Sequence, residues 1–347
     1  MYLTRRGDEL HYLITGHTGF KGAWLTMLLR ARGHEVSGIA LDPEPGSLFV
    51  NAGLEKLLKN DIRQDIRASD ELLSAIKTIN PDVVIHLAAQ PLVRRSYLDP
   101  KGTFETNVNG TLNLLQGVWS AKSVLACVVV TTDKVYRNLN QTEGYKESDA
   151  LGGHDPYSAS KAMADILTQS WVKSFDGPPT AIARAGNVIG GGDICEDRLI
   201  PDAVRSFSVG QPLVLRFPDS VRPWQHVLDC LNGYLALVDN LLDGKGTGEW
   251  NFGPGSESFV AVSEIANIAK ATWSEGASIT FSNAKEPHEA GLLALDSSKA
   301  QNLLGWQNKL KFPESLAWTL AWEKELHDGV SSAHDLCQKQ ISAFESL

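Results

Sequence analysis

Two short strings carry side chains able to do chemistry. In Tyr157-Ser-Ala-Ser-Lys161 a phenol and an ammonium group stand four residues apart, a spacing that puts them on one face of a helix. A cation beside a phenol favours the phenolate and lowers the tyrosine pKa. A tyrosine tuned in this way accepts a hydroxyl proton while hydride leaves the carbon. In Thr131-Thr132-Asp133-Lys134 a hydroxyl, a carboxyl and an amine follow one another at the end of an apolar run. Each string also has a plainer reading. Tyr-x-x-x-Lys recurs on surface helices, and Asp133-Lys134 would serve as a solvated acid–base pair at a strand end.

A third string tells the two apart from chance. Gly16-His-Thr-Gly19-Phe-Lys-Gly22 follows the apolar Tyr12-Leu-Ile-Thr15 and opens a helical pattern. Glycines so spaced allow a tight turn, close approach of the backbone to a pyrophosphate, and close helix–strand packing. The pyrophosphate of a dinucleotide would sit on the free N–H groups of the helix N-terminus. Asp42 ends the next strand about twenty residues on, where a carboxylate bonds ribose hydroxyls and repels a 2′-phosphate, which favours NAD over NADP. Asp42 could also do no more than cap the turn before Pro43.

The elements that must position these strings alternate between two periods. Strands are expected at residues 12–15, 36–41, 83–87, 126–131 and 180–184. Helices are expected at residues 21–32, 72–79, 103–121 and 156–175. Strands alternating with helices imply right-handed βαβ units and a parallel sheet covered on both faces. The fold class is therefore α/β, a Rossmann-like doubly wound parallel sheet, here residues 1–187. After Arg184 the rhythm breaks into a stretch rich in Gly, Pro and charge, with helical pieces at residues 229–242, 262–274 and 313–328. Residues 188–347 are expected to form a smaller, mixed substrate-binding domain, with segments crossing back to the first.

Composition narrows the partners. The 347 residues carry a net charge of −9, and basic residues occur at most in pairs such as Arg5-Arg6 and Arg94-Arg95. A nucleic-acid platform shows a basic stripe, so that partner is set aside. The four cysteines form no CxxC pair, which argues against a disulfide framework or a bound metal. The N-terminus is polar with charges of both signs, unlike a signal peptide, and no apolar run reaches membrane-spanning length. A cytoplasmic protein with no membrane partner is the expectation.

Taken together the strings resemble the extended short-chain dehydrogenase/reductases, the superfamily of sugar-nucleotide epimerases and dehydratases, over nearly the whole chain. The resemblance implies NAD held by Gly16, Thr18, Gly19, Phe20, Lys21 and Gly22, with Asp42 at the ribose and Asp65-Ile66 at the adenine. It implies that the loop Leu87-Ala88-Ala89-Gln90 passes beside the cofactor, with Thr106, Tyr157 and Lys161 completing the site. Asn107 matches a helix asparagine near the active site.

Epimerases and decarboxylases of the superfamily usually have a serine-rich segment where this chain has Thr-Thr-Asp-Lys. The dTDP- and GDP-sugar dehydratases generally have Asp-Glu there. Asp133-Lys134 therefore resembles the CDP-glucose 4,6-dehydratase family, as do Gln90-Pro-Leu-Val-Arg94, Arg222-Pro-Trp-Gln-His226 and Pro287-His-Glu-Ala290. That family makes a 4-keto-6-deoxy sugar for surface polysaccharide, such as lipopolysaccharide, with NAD recycled. The resemblance implies that Tyr157 and Thr132 handle the sugar O4, that Asp133 protonates the departing O6, and that Lys134 is the C5 base or a stabilising cation. It also implies that Asn187, Arg222, Arg94 and Gln90 hold the nucleotide sugar. Arg198 and Arg216 are further candidates for which surface salt bridges compete. Ile194 stands where the family tends to have an aromatic residue. Relatives commonly dimerise through their two long helices, so a homodimer or higher homo-oligomer is expected. The rival readings are another NAD-dependent epimerase or decarboxylase, and a non-catalytic NAD-binding regulator.

Overall fold

A computed structural model describes residues 9–139, 141–273, 276–282 and 293–347. The Arg5-Arg6 pair and Pro287-His-Glu-Ala290 lie outside the described residues. The central feature is a parallel sheet. Its strands are β1 (His11–Thr15), β2 (Glu35–Ala40), β3 (Asn60–Arg63), β4 (Val83–His86), β5 (Ala126–Val130) and β6 (Thr180–Ala185), joined by Gly248–Phe252. The spatial order is Gly248–Phe252, β6, β5, β4, β1, β2, β3.

Side chains alternate between the two faces with period two. Tyr12 and Ile14 of β1, Val83 and Ile85 of β4, and Val128 and Val130 of β5 join one apolar cluster. Leu13, Val84, Cys127 and Val129 join the cluster on the other face. Both faces are covered, so the strands read as unbroken apolar runs. A third cluster, which includes Ile189, Ile200, Phe207, Trp224, Trp273 and Phe312, is built from the later part of the chain.

Strand order reverses between β1 and β4, where Thr15 pairs with His86. Sheets of this kind place ligands outside the carboxyl ends of their strands at such a switch point. A buried histidine fastens it: His86 bonds Thr15 Oγ1 at 2.6 Å and Thr111 Oγ1 at 3.1 Å. Burial, with the nearby Lys161 charge, pushes the His86 pKa down to about 3, so the imidazole stays neutral.

The helix expected at 103–121 is not uniform. Pro100–Phe104 is α-helical, Glu105–Asn109 is a π-helical segment, and Gly110–Ser120 is α-helical again. The insertion has no signature in apolar periodicity. It brings Asn107 inward, and such bulges recur at functional sites.

Candidate active site

The glycine turn leaves β1 at the switch point and opens helix α1 (Phe20–Ala31). Gly16 has φ +78°, and a Cβ there would lie 2.7 Å from the backbone nitrogen of Ala88. Glycine is required twice over, by conformation and by the passage of the loop after β4. A Cβ on Gly22 would lie 2.2 Å from Gly16 O, so the helix seats directly on the turn. Gly19 is exposed, and its nearest neighbour to a Cβ is Gly16 O at 3.4 Å. No side chain caps the N-terminus of α1. Bare amides beside an open glycine fit the pyrophosphate of a dinucleotide.

The other residues expected at the cofactor separate into two groups. Thr18 Oγ1 donates to Leu41 O at 3.1 Å, tying the turn to the end of β2. Exposed Asp42 follows that end. Leu87, Ala88, Ala89 and Gln90 are half-buried beside the turn, with Ala88 N donating to Thr15 Oγ1 at 3.3 Å. Half-buried Thr106 lies on the π segment.

Four residues face protein instead. Phe20 packs on the core and would touch a Cβ on Gly190 at 3.2 Å. Lys21 Nζ donates to Tyr234 Oη at 3.3 Å. The side chain of Ile66 is buried against Gly110, and its carbonyl accepts from Asn113 Nδ2 at 3.0 Å. Asp65 accepts from Arg67 Nη2 at 2.6 Å and from Arg67 N at 2.9 Å, and this hydrogen bonding holds its pKa below the usual carboxylate range.

At the ends of β5 and the helix Pro156–Ser174 the reactive groups converge. Thr132 Oγ1 donates to Asp133 Oδ1 at 2.8 Å, and both residues act on the Tyr157 phenol. Asp133 is 5 % exposed. Its burial pushes the pKa up, against the pull of Lys134, Thr132 and Arg222. Half-buried Lys134 sits in the short turn Asp133–Val135.

One expectation is corrected here. The Tyr157 pKa is pushed up to about 12, first by burial and also by the Asp133 charge. Lys161 does not meet the phenol; its Nζ donates to Val130 O at 2.8 Å. Burial lowers the Lys161 pKa to about 8, with Asp165 opposing. In the protein alone, desolvation outweighs any cation effect on the tyrosine.

Asn107, expected near the active site and at the nucleotide sugar, makes several bonds to protein. It is 1 % exposed. Its amide oxygen accepts from Gln90 N at 2.8 Å, and its Nδ2 donates to Gln90 O at 3.1 Å and to Ser160 Oγ at 2.9 Å. Both Nδ2 protons are spent on protein, so Asn107 braces the loop after β4 against the tyrosine helix. The Gln90 side chain is likewise turned to Thr103 Oγ1, at 2.9 Å, and to Leu92.

The expected phosphate ligands lie on several segments. Arg198 pairs with Asp193 at 2.8 Å, and its charge acts on Tyr157. Arg216 and Arg94 meet at one carboxylate, with Nη1 atoms 2.5 and 3.5 Å from Asp197 Oδ1. Asp197 is held in the left-handed region, φ +61°. Arg222 lies on the short strand Val221–Pro223, donates to Val221 O at 3.1 Å, and acts on Asp133. Half-buried Asn187 precedes Val188–Ile189 and accepts at its backbone oxygen from Gln225 N at 3.3 Å.

Sequence reasoning missed a buried network beneath the site. Asp165 takes a bidentate pair from Arg184 and accepts from Thr131 Oγ1 at 3.1 Å. Arg184 Nη1 also donates to Tyr136 Oη at 2.8 Å, and Tyr136 donates to Asn251 Oδ1 at 2.7 Å. The available signal was Asp165 itself, four residues past Lys161 on the same helix face. Among the described residues no group of three metal-ligating side chains comes together.

A doubly wound sheet with a glycine turn at its switch point and a tyrosine–lysine helix beside it defines the NAD-dependent epimerase/dehydratase class. Within that class, residues 13–319 match the model of the GDP-mannose 4,6 dehydratase family, and the chain belongs to that family. It is 42 % identical over 322 residues to a CDP-glucose 4,6-dehydratase of Salmonella typhimurium, covering 90 % of this chain and 89 % of that protein. A dTDP-glucose 4,6-dehydratase of Escherichia coli is 30 % identical over 266 residues, 70 % of this chain and 72 % of that one. Among solved structures, the dTDP-glucose 4,6-dehydratase of Streptomyces venezuelae with NAD and TYD bound superposes with a TM-score of 0.79 at 26 % identity, covering 91 % of this chain and 97 % of that one.

Proposed function

We propose that the protein is a CDP-glucose 4,6-dehydratase, a hydro-lyase that converts CDP-D-glucose to CDP-4-dehydro-6-deoxy-D-glucose and water. The carrying observation is that the buried pair Thr132–Asp133, joined by the Thr132 hydroxyl at 2.8 Å, lies close enough to Tyr157 for the Asp133 charge to act on the phenol, so a proton acceptor and a proton donor share one site. NAD, when bound on the glycine turn, supplies the hydride acceptor, returns the hydride later, and adds a positive charge to the site.

Tyr157 takes the O4 proton as C4 becomes a ketone, with Thr132 close by. The ketone acidifies C5. Lys134 takes the C5 proton or stabilises the enolate. Asp133 gives its proton to O6, which leaves as water. A carboxyl raised by burial suits that role, because it holds a proton at higher pH than an exposed aspartate. With the hydride restored by bound NAD and a proton given back at C5, the overall reaction would carry no net redox change. Arg222, Arg198 and Asn187 hold the diphosphate. A guanidinium suits this better than an ammonium, because it binds two oxygens at once. Arg94 and Arg216 share Asp197.

The test is product analysis with CDP-, dTDP-, GDP- and UDP-glucose. A 4-keto-6-deoxy product from CDP-glucose supports the reading, and turnover of another nucleotide sugar alone moves the base assignment. A 4-epimer or a decarboxylated product would overturn the dehydratase chemistry.

The oligomer proposed is a homodimer through the two long helices. Met163 and Ile166 are 48 % and 53 % exposed on the outer face of Pro156–Ser174. Ile166→Lys is expected to give a monomer in sedimentation analysis; an unchanged mass in both proteins would refute it. No helix among the described residues is long and apolar enough to cross a membrane. A cytoplasmic setting is part of this reading.

A further inference from the structure

The helix Phe312–His327 carries two adjacent residues that point inward, Trp322 at 1 % and Glu323 at 8 % exposure. Both press on the segment that follows Val188–Ile189. A Cβ on Gly191 would fall 2.0 Å from Trp322 Cδ2, and one on Gly192 would fall 3.2 Å from Cη2. From the other side Trp24 Nε1 donates to Gly191 O at 2.9 Å. Glu323 Oε1 accepts from Gly192 N at 2.7 Å. Two indoles and one carboxyl thus clasp two consecutive glycines, the second with φ +80°.

The next residue carries this order toward the cleft. Asp193 is 7 % exposed. Its Oδ1 accepts from Cys195 N at 3.1 Å and its Oδ2 from Arg198 Nη1 at 2.8 Å. The Arg198 side chain keeps 38 % of its surface exposed, and its charge acts on Tyr157. Glu323 itself stays behind the loop.

We propose that Glu323 is a positioning residue for the sugar-nucleotide diphosphate: by fixing Gly192 it sets Asp193, and through Asp193 the place of Arg198. The proposal rests on reading Arg198 as a diphosphate ligand. A carboxyl needs no charge to accept from an amide, so Gln serves at this position. Ionisation is opposed there by burial and by the neighbouring Asp193 carboxylate.

The experiment compares Glu323→Gln, Glu323→Leu and Asp193→Asn in the full chain with NAD. Glu323→Leu leaves Gly192 N without its acceptor and is expected to raise the KM for CDP-glucose about tenfold, with kcat changed less than about threefold. Asp193→Asn is expected to do the same, and Glu323→Gln to keep KM within about twofold. NAD affinity, followed by calorimetry, is expected to stay level in all three. A folded Glu323→Leu protein with wild-type KM overturns the proposal, as does a loss confined to kcat. If Glu323→Leu does not fold, Asp193→Asn decides, and a wild-type KM there has the same force. Failure of the underlying substrate reading looks different: the wild-type protein itself would neither bind nor convert CDP-glucose.

Discussion

Arg184 and Asp165 face each other in the dry interior as a bidentate pair, with Nε and Nη2 at 2.8 and 2.7 Å from the two carboxylate oxygens. Their side chains are 1 % and 0 % exposed. The pair joins β6 to the helix that carries Tyr157 and Lys161, and Thr131 donates to the same carboxylate. Removing one partner strands a buried charge, whereas removing both does not. Asp165→Leu is expected to lower stability by about 3–5 kcal/mol. The double variant Asp165→Leu, Arg184→Met is expected to recover most of that loss. Urea unfolding of the three proteins measures this, and a double variant as unstable as the single one would contradict it.

Tyr157→Phe removes the phenolic oxygen and keeps the ring. Turnover is expected to fall by about 10²–10⁴, the range for losing a general base. CDP-glucose binding is expected to persist, because no diphosphate ligand is touched. Single-turnover kinetics with bound NAD, together with calorimetry, separates the two effects. Near-normal turnover would remove the tyrosine from the mechanism.

Gly16→Ala sets a methyl group 2.7 Å from Ala88 N at a backbone φ of +78°. The left-handed conformation alone costs roughly 1–2 kcal/mol for a residue with a Cβ. The clash adds to this by pushing the turn off the loop after β4. NAD affinity is expected to drop at least tenfold, read by titration calorimetry. Gly33→Ala serves as the comparison, since its φ of +84° carries the strain but nothing lies within 4 Å of the new Cβ.

Glu323 also makes a prediction about pH. Burial pushes its pKa up to about 7 from an ordinary 4.5, with the Asp193 charge adding to the effect. Between those values the unfolded chain has released the proton while the folded chain still holds it. The folded state therefore binds more protons, and stability falls as pH rises through that window. The penalty is complete above pH ~7 and amounts to about 3 kcal/mol. Glu323→Gln is expected to gain stability over the wild type between pH 5 and pH 8, measured as the difference in urea midpoints at matched pH. Taking the difference cancels the opposing trend from buried neutral His86 and His226. A gap that does not widen with pH would show that the carboxyl titrates normally.

The strands β1, β2, β4, β5 and β6 were legible because a sheet buried on both faces demands unbroken apolar runs. So was the turn, since Gly16 and Gly22 have no room for a Cβ. Strand β3 was missed because Asn60-Asp61-Ile62-Arg63 sits at the sheet edge, half-exposed, with little apolar pattern to read. Gly248–Phe252 was missed for a different reason: Gly-Glu-Trp-Asn-Phe mixes polar and aromatic residues, and its burial comes from distant partners. At the proposed site, residue types pointed to Thr132, Asp133, Tyr157 and Lys161 as candidates. They did not disclose that Lys161 turns to Val130 O or that Asn107 is spent on Gln90 and Ser160. Those outcomes depend on the π segment and on side-chain directions, which periodicity does not encode.

Gly248–Phe252 has a further consequence for how the molecule comes to exist. It pairs along the whole outer edge of β6, from Ala181 to Ala185, yet the ribosome makes it only after residues 186–247. A nascent chain that ends between the two strands presents β6 with a bare row of amide and carbonyl groups, ready to zip onto another unfinished copy. Synthesis order thus leaves an interval in which the growing polypeptide is sticky, and a truncation at residue 187 would make that interval permanent. The enzyme's last-made half is in this sense its own chaperone, shielding the edge that the first half leaves open.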